Sequence, residues 1–212
     1  MPRAAVATSF AGESTVKSTT DDQMKTISGH FFGESETESD NFTIHIIEKI
    51  REEYGMFVWP CAVVLAEYVW QQRDRFRGGV SVLEVLENIR SVCDLNKLDC
   101  QVAGIQWGVW DEYMFDFHPK IILGADVLYD SSAFDNLFST VTFLLQNSPG
   151  SVFITTYHNR SGHHLIEFLM VKWGLKCIKL IDGFSFIPPD KASRLGGNIQ
   201  LAEIALCHDE EI

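Results

Sequence analysis

The sequence predicts an α/β fold in which a largely parallel sheet is covered by helices on both faces. From residue 80 onward, short β-branched runs alternate with segments of helical periodicity, and this alternation typically forms right-handed crossovers between parallel strands. The 212 residues suit one domain with a sizeable core, because single domains hold about 100–200 residues. The hydrophobic share of 46% is ordinary for such a domain.

The individual elements are predicted from local periodicity. Four isoleucines between residues 44 and 50 predict a short helix that ends at Gly55. A second helix is predicted from Pro60 to about Arg73, because apolar residues repeat there at spacings of three and four. Strands are expected at residues 80–84, 100–105, 120–125, 151–156, 175–181 and 199–207, and further helices at residues 85–95, 132–146 and 162–173.

Residues 1–40 differ from the rest of the chain, being rich in Ser, Thr, Glu and Asp with little apolar periodicity. Segments of low hydrophobicity bury too little apolar surface to offset the entropy lost on ordering. We therefore expect a flexible polar tail over residues 1–40 and one folded domain over residues 41–212. Met24 offers a second translation start within that tail.

Charge and cysteine usage restrict the partners and the compartment. A formal net charge of −12 opposes binding to nucleic acids, whose protein ligands depend on basic patches, and instead suits a basic protein partner. The five cysteines stand singly without a CxxC pair, so a reducing compartment, the cytoplasm or the nucleus, is expected. No run approaches about 18 consecutive apolar residues, so no membrane span is expected.

The ends of the predicted strands carry the candidate functional residues, because ligands bind outside the carboxyl ends of strands in open α/β sheets. These ends are Glu84 and residues 106–108, 126–130 and 157–159. They contain no Cys-His or Ser-His-Asp arrangement of the kind that a nucleophilic hydrolase uses. His158, His163 and His164 are expected at a helix start in solvent, and no metal site is predicted.

Three ordered motifs resemble the signatures of one family. They are Val58-Trp59-Pro60 with Leu65-Ala66, then Ile105-Gln106-Trp107-Gly108, then Ala125-Asp126-Val127-Leu128-Tyr129. In order and spacing they resemble the methyltransferase-like 21 and 23 family of S-adenosylmethionine-dependent enzymes over residues 40–207. The resemblance implies a Rossmann-like seven-strand methyltransferase sheet.

The resemblance also implies which residues would contact S-adenosylmethionine. Trp59 matches a tryptophan that lies beside the cofactor, and Trp107 matches one that stacks near the adenine, with Ile105 in place of the family's leucine. Ala125 matches a backbone contact to the cofactor. Without the ordered motifs, both tryptophans would be expected as ordinary core residues, since tryptophan is highly buried on average.

Asp126 and Tyr129 match the family's Asp-x-x-Tyr element, which lies by the acceptor nitrogen and implies a catalytic role. Methyl transfer from a sulfonium is an in-line displacement, so catalysis depends mainly on orientation and desolvation. A carboxylate can hold a cationic acceptor, and aromatic faces attract both that cation and the sulfonium. The alternative for Asp126 is that it caps the helix that follows.

One family feature is missing after the first predicted strand. The family places a glycine-rich turn there, followed by a helix, a second strand and an acid that binds the ribose hydroxyls. Here Val82-Leu83-Glu84 continues directly into Val85-Leu86-Glu87-Asn88 without a glycine. We infer that about 30 residues, one helix and one strand, are deleted, and that Glu84 is the last residue of the cofactor motif. The strand at residues 100–105 should then be left unpaired or form a new pairing.

These observations predict a protein methyltransferase that uses S-adenosylmethionine on an arginine or lysine side chain, with histone H3 among the suggested acceptors. Because the glycine-rich turn is absent, the activity should be impaired in this form. The alternative is a non-enzymatic binding module that holds a basic partner, such as a histone or a chaperone. A nicotinamide-dependent oxidoreductase is a weaker alternative, because it needs the same missing turn.

Overall fold

A computed structural model of the chain describes residues 3–8, 25–33, 42–49, 58–76, 81–84, 86–159 and 163–207. The strands are β1 (Arg3–Thr8), β2 (Lys25–Phe32), β3 (Phe42–Lys49), β4 (Ser81–Glu84), β5 (Cys100–Ile105), β6 (Ile121–Ala125), β7 (Val152–His158), β8 (Leu175–Asp182) and β9 (Ile199–Leu206). The helices are α1 (Pro60–Gln71), α2 (Leu86–Leu95), α3 (Glu112–Phe115), α4 (Phe134–Gln146), α5 (His163–Lys172) and α6 (Pro189–Ala192), with a 3₁₀ turn at Gly183–Ser185.

Seven strands form the central sheet in the order β5-β1-β4-β6-β7-β9-β8. The first five of these pair in parallel, whereas β9 lies antiparallel between β7 and β8. The predicted α/β class is therefore confirmed, as are the strands and helices expected after residue 58. Within the described part of the chain, no helix is long and apolar enough to cross a membrane.

Strand β1 occupies the place between β4 and β5. It pairs with β5 along its whole length, from Arg3 opposite Cys100 to Thr8 opposite Ile105, and with β4 at Val6 and Ala7. The expected new pairing for residues 100–105 is thus present, and the N-terminal segment supplies it. The tail boundary at residue 41 stays a prediction, but residues 3–8 and 25–32 lie in strands that periodicity did not indicate.

The helix predicted from the isoleucines at residues 44–50 is wrong. Residues Phe42–Lys49 form β3, which pairs with β2 in an antiparallel hairpin from Lys25 opposite Lys49 to Phe32 opposite Phe42. The two phenylalanines lie at the end of the hairpin where the chain passes from β2 to β3. Both approach Trp70 of α1, with ring centroids 6.1 and 6.5 Å away. This pairing and packing outweigh a weak local preference, because β-branched residues fit a pleated surface well.

The core lies on both faces of the sheet. On one face α4 and α5 cover the larger cluster, in which Phe138 and Phe153 are fully buried. On the other face α1 packs Val64 and Leu65 onto the strands. Helix α1 begins as predicted: Trp59 is extended at the N-cap, and Pro60 occupies the first turn, where its missing N–H costs nothing.

A buried charge cluster connects α1 to β9. Glu203 of β9 is buried and accepts two hydrogen bonds of 2.8 Å from the Arg75 guanidinium. It also accepts a short hydrogen bond from Tyr68, and the Lys179 ammonium lies 3.6 Å away. Chiefly through the bonds from Arg75, the pKa of Glu203 is lowered to about 2.

Candidate functional site

The register of the parallel strands aligns their carboxyl ends at one edge of the sheet. Ala125 of β6 is opposite Thr156 of β7, and Ala7 of β1 is opposite Glu84 of β4. The predicted site residues Glu84 and Ala125 therefore end neighbouring strands at this edge. The Ala125 side chain packs toward the α1 face, so its backbone is what it can offer to a ligand there.

Asp126 has a left-handed backbone, with φ of 53°. Only a few per cent of non-glycine residues adopt this conformation, and it is found most often where function or packing requires it. The Asp126 N–H donates a 2.8 Å hydrogen bond to the Thr156 carbonyl, which fixes the chain as it leaves the sheet. Asp126 does not cap the next helix, because Ala133 stands at the N-cap of α4.

Two further side chains meet Asp126. The thiol of Cys61, the Asp126 carboxylate and the His158 ring each place a ligand-capable atom within 4.8 Å of the others. Cys61 is fully buried, whereas the other two are half-buried. The Thr156 hydroxyl donates a 2.8 Å hydrogen bond to the Cys61 carbonyl and so ties the first turn of α1 to β7. We call these three residues the edge cluster.

The expectation that His158 lies at a helix start in solvent is wrong. It is the last residue of β7, and its ring packs so closely on Gly197 that a Cβ there would lie 2.5 Å from Cε1. Strand alternation explains its direction. Thr156 and His158 face α1, whereas Tyr157 enters the core under α4 and α5, where burial raises the pKa of its phenol.

The Trp-Gly motif forms a tight turn after β5. The Val109 N–H donates to the Gln106 carbonyl over 3.1 Å, and Gly108 has φ of 78°. A Cβ on Gly108 would lie 2.8 Å from the Asn136 side-chain oxygen, and the Gly108 N–H donates to the Thr140 hydroxyl of α4. Glycine is therefore required on two grounds, and Trp107 is held in a half-buried position against the core.

The structure groups only some of the predicted site residues. Asp126 lies with the edge cluster, and Trp59 stands two residues before Cys61 at the start of α1. Tyr129 follows β6 with 48% of its surface exposed. Trp107 follows β5, which is three strand spacings from β6, or about 14 Å across the sheet. An elongated ligand would be needed to contact both ends.

The residues present fit one part of S-adenosylmethionine and not another. The half-buried Trp107, the Ala125 backbone and Asp126 suit a ligand with an aromatic base at one end and a cation at the other. Only one residue, however, separates β4 from α2. A close approach of ligand to backbone usually needs glycines in such a turn, and the sequence between Glu84 and Leu86 offers none.

Sequence analysis did not single out Cys61, and it considered His158 only as a solvent-exposed residue at a helix start, within the predicted strand-end segment 157–159. The spacing gave no means of pairing it with a cysteine nearly 100 residues earlier. One sequence signal could have indicated Cys61: it directly follows the Val-Trp-Pro motif. It therefore lies at the same edge of the sheet as that motif.

Comparisons with known proteins show the family to which the chain belongs. A family model described as lysine methyltransferase matches residues 80–172. The chain is 35% identical over 164 residues to histone-arginine methyltransferase METTL23 of Xenopus laevis, covering 63% of this chain and 70% of that protein. The protein of the same name from Homo sapiens is 32% identical over 158 residues, covering 59% of this chain and 82% of its own length.

Among solved structures, a TehB-like SAM-dependent methyltransferase from Corynebacterium glutamicum aligns at 8% identity and a TM-score of 0.47, covering 72% of this chain and 90% of that one. The sequence relatives define the class of the protein as the S-adenosylmethionine-dependent methyltransferases. Within that class the chain belongs to the methyltransferase-like 21 and 23 family.

Proposed function

We propose that this chain is a protein methyltransferase that acts on an arginine or lysine side chain and whose hold on S-adenosylmethionine is weakened. The observation that carries the acceptor class is the left-handed Asp126 at the carboxyl edge of β6. A carboxylate fixed there by its backbone can position a cationic side chain without paying much entropy on binding. The relatives named for arginine and the family model named for lysine support these two acceptors.

The chain's own residues contribute orientation and partial exclusion of water. S-adenosylmethionine, when bound, supplies an electrophilic methyl group on a sulfonium. Asp126 orients the cationic acceptor, and the exposed Tyr129 hydroxyl can hydrogen-bond to the same nitrogen. Trp59 and Trp107 offer aromatic faces to the cofactor. In such a displacement, correct placement of the two reactants accounts for most of the rate.

The weakened hold follows from the connection after β4. One residue separates β4 from α2 in the sequence, and it is a valine, whereas glycines would let a ligand approach the backbone closely. The strand beside β4 is β1, whose described residues, Arg3–Thr8, include no acidic side chain. Affinity would therefore depend on Trp59, Trp107 and Ala125, with Glu84 as the last residue of the cofactor motif.

The partner is proposed from charge. A net charge of −12 favours a basic protein, and the histone named for the relatives fits this description. A histone or a chaperone would be met in the nucleus or the cytoplasm, which are the compartments we propose.

The test is transfer of labelled methyl groups from S-adenosylmethionine to histone H3 and to matched peptides carrying Arg, Lys or Ala at one position. Weak transfer to the Arg or Lys peptide, lowered about 100-fold by Asp126→Asn, is expected. Asp116→Asn is the control, because Asp116 is an exposed carboxylate at the end of α3. Equal activity of the two variants would contradict the role of Asp126.

The second candidate is a non-enzymatic binding module, and the direct passage from β4 into α2 favours it. Fluorescence anisotropy with the Arg peptide separates the two functions. A module would bind the peptide equally well with and without S-adenosylhomocysteine and would transfer no methyl group. An enzyme would transfer methyl groups, however slowly.

A further inference from the structure

The edge cluster combines three kinds of ligand atom from three separate elements. Cys61 lies in the first turn of α1, Asp126 directly follows β6, and His158 ends β7. A thiol sulfur, a carboxylate oxygen and an imidazole nitrogen thus lie within 4.8 Å of one another. Each of the three ligand atoms comes from a different element, so tertiary packing brings them together.

We propose that the edge cluster binds a zinc ion. Mixed sulfur, nitrogen and oxygen donors are typical of zinc, whereas magnesium and calcium prefer oxygen alone. In tetrahedral zinc sites with bonds of about 2.0–2.3 Å, neighbouring donor atoms lie about 3.3–3.7 Å apart. The observed separations of up to 4.8 Å would close by small side-chain rotations.

The charge balance also favours a divalent cation. A bound thiolate and the Asp126 carboxylate carry two negative charges, and neutral His158 adds none. A doubly charged ion therefore gives a neutral site, which suits a position where Cys61 is fully buried and its two partners are half-buried. Three protein ligands leave the fourth position open to water, as in zinc sites that are not purely structural.

Neighbouring contacts hold each ligand in place, as outer contacts do in known metal sites. The Asp126 backbone is fixed through Thr156, whose hydroxyl also binds the Cys61 carbonyl. The His158 ring rests on Gly197, where a Cβ would lie 2.6 Å from Nδ1. A glycine at position 197 thus makes room for the ring at the edge of the sheet.

Ion binding does not depend on the proposed function, but it would affect that function. Zinc would occupy the Asp126 carboxylate that the proposed function uses for a cationic acceptor. The ion and a basic side chain should therefore compete for this residue. Cys61 packs with Val64 and Ile199 in the core. Under this proposal it would also be a metal ligand.

The experiment is titration of the full reduced, metal-free chain with Co²⁺ and then Zn²⁺. Wild-type protein should bind one Co²⁺ with the absorption band of a thiolate-to-cobalt charge transfer, and Zn²⁺ should abolish that band by displacement. Cys61→Ser should lose the band. His158→Asn, at a half-buried position, should retain the fold and bind at least about tenfold more weakly.

Matched controls use the same residue types elsewhere. Cys177→Ser changes an exposed cysteine and His118→Asn an exposed histidine, so both variants should bind cobalt as wild type does. The proposal is overturned if wild type gives no charge-transfer band, or if the band persists in Cys61→Ser. It is equally overturned if His158→Asn, with an unchanged circular dichroism spectrum, binds as tightly as wild type.

Discussion

Two residues with left-handed backbone, Gly108 and Asp126, shape the two ends of the candidate site. At Gly108 the conformation costs little because there is no Cβ, and a Cβ would also meet Asn136. At Asp126 a residue with a side chain adopts it, which costs of order 1 kcal/mol, although aspartate enters this region more readily than most residues. A glycine would be less strained at this position but would bring no carboxylate to the edge.

Substitution Gly108→Ala should lower the free energy of unfolding by about 2 kcal/mol, combining backbone strain with the clash against Asn136. Gly150→Ala is the matched control, because Gly150 has φ of 80° and open space around its Cβ position. It should cost only about 1 kcal/mol. Chemical denaturation measures both, and equal losses would show that the Asn136 contact has no role in holding the Trp-Gly turn.

Glu203 is a buried carboxylate whose charge we expect to stabilise the fold. Glu203→Gln leaves Arg75 and Lys179 without their carboxylate and should cost about 2 kcal/mol, less than a fully buried pair because Arg75 is partly exposed. Lys172→Gln breaks the Lys172–Asp135 pair, in which both side chains are exposed, and should cost less than about 1 kcal/mol. If denaturation curves show equal losses, the buried cluster is not a stabilising feature.

The same carboxylate predicts an acid limit. The pKa of Glu203 is about 2 in the folded protein and 4.5 ordinarily. Ionisation of Glu203 therefore favours the folded state of the protein over the unfolded state. Its contribution is therefore complete above about pH 4.5 and is lost as the pH falls toward 2. The difference in unfolding free energy between wild type and Glu203→Gln should shrink over this range, and a constant difference would refute the assignment.

At the scale of elements, the sheet depends on a strand from the far end of the chain. Strand β1 fills the place between β4 and β5, and without it β5 would be an unpaired apolar edge. The strands and the longer helices after residue 58 could be predicted, because their periodicity is local, whereas the four-residue helices α3 and α6 were not predicted. Strand β1 pairs with strands that lie about 75 to 100 residues later in the sequence. Local sequence patterns do not predict pairing over such a separation.

A chain that starts at Met24 should therefore be less stable and more prone to aggregate than the full chain. In the full chain, Ala5→Pro removes one N–H from the centre of β1 and should cost about 3 kcal/mol. Lys17→Pro, outside the described strands, is the control. Hydrogen exchange at the amides of Cys100–Ile105 measures the effect, and unchanged protection in the Met24 chain would mean that β1 does not support β5.

The candidate site was predictable in part, for a related reason. Asp126 and Trp107 were located because they directly follow strands that local periodicity indicates. Cys61 and His158 were not joined, since their meeting depends on how α1 packs across β6 and β7. The helix expected from the four isoleucines failed because three- and two-residue periods are hard to distinguish over so short a run.

At the scale of the whole molecule, the seven-stranded sheet includes an inner strand, β1, from the N-terminal segment. Native domains hold only about 5–15 kcal/mol of stability, so the loss of such an inner strand could exhaust it. Under the proposed function, the net charge of −12 favours a basic partner. Cofactor binding is the step that we propose to be weakened.

Isothermal titration of the full chain with S-adenosylhomocysteine tests this most directly, with circular dichroism to verify folding and the Xenopus laevis relative as the positive control. We expect a folded protein whose dissociation constant is at least about 100-fold above that of the relative, equivalent to a loss of about 2.7 kcal/mol. An affinity equal to that of the relative would contradict the account, because it would mean that the glycine-free connection at Val85 supports a complete cofactor site.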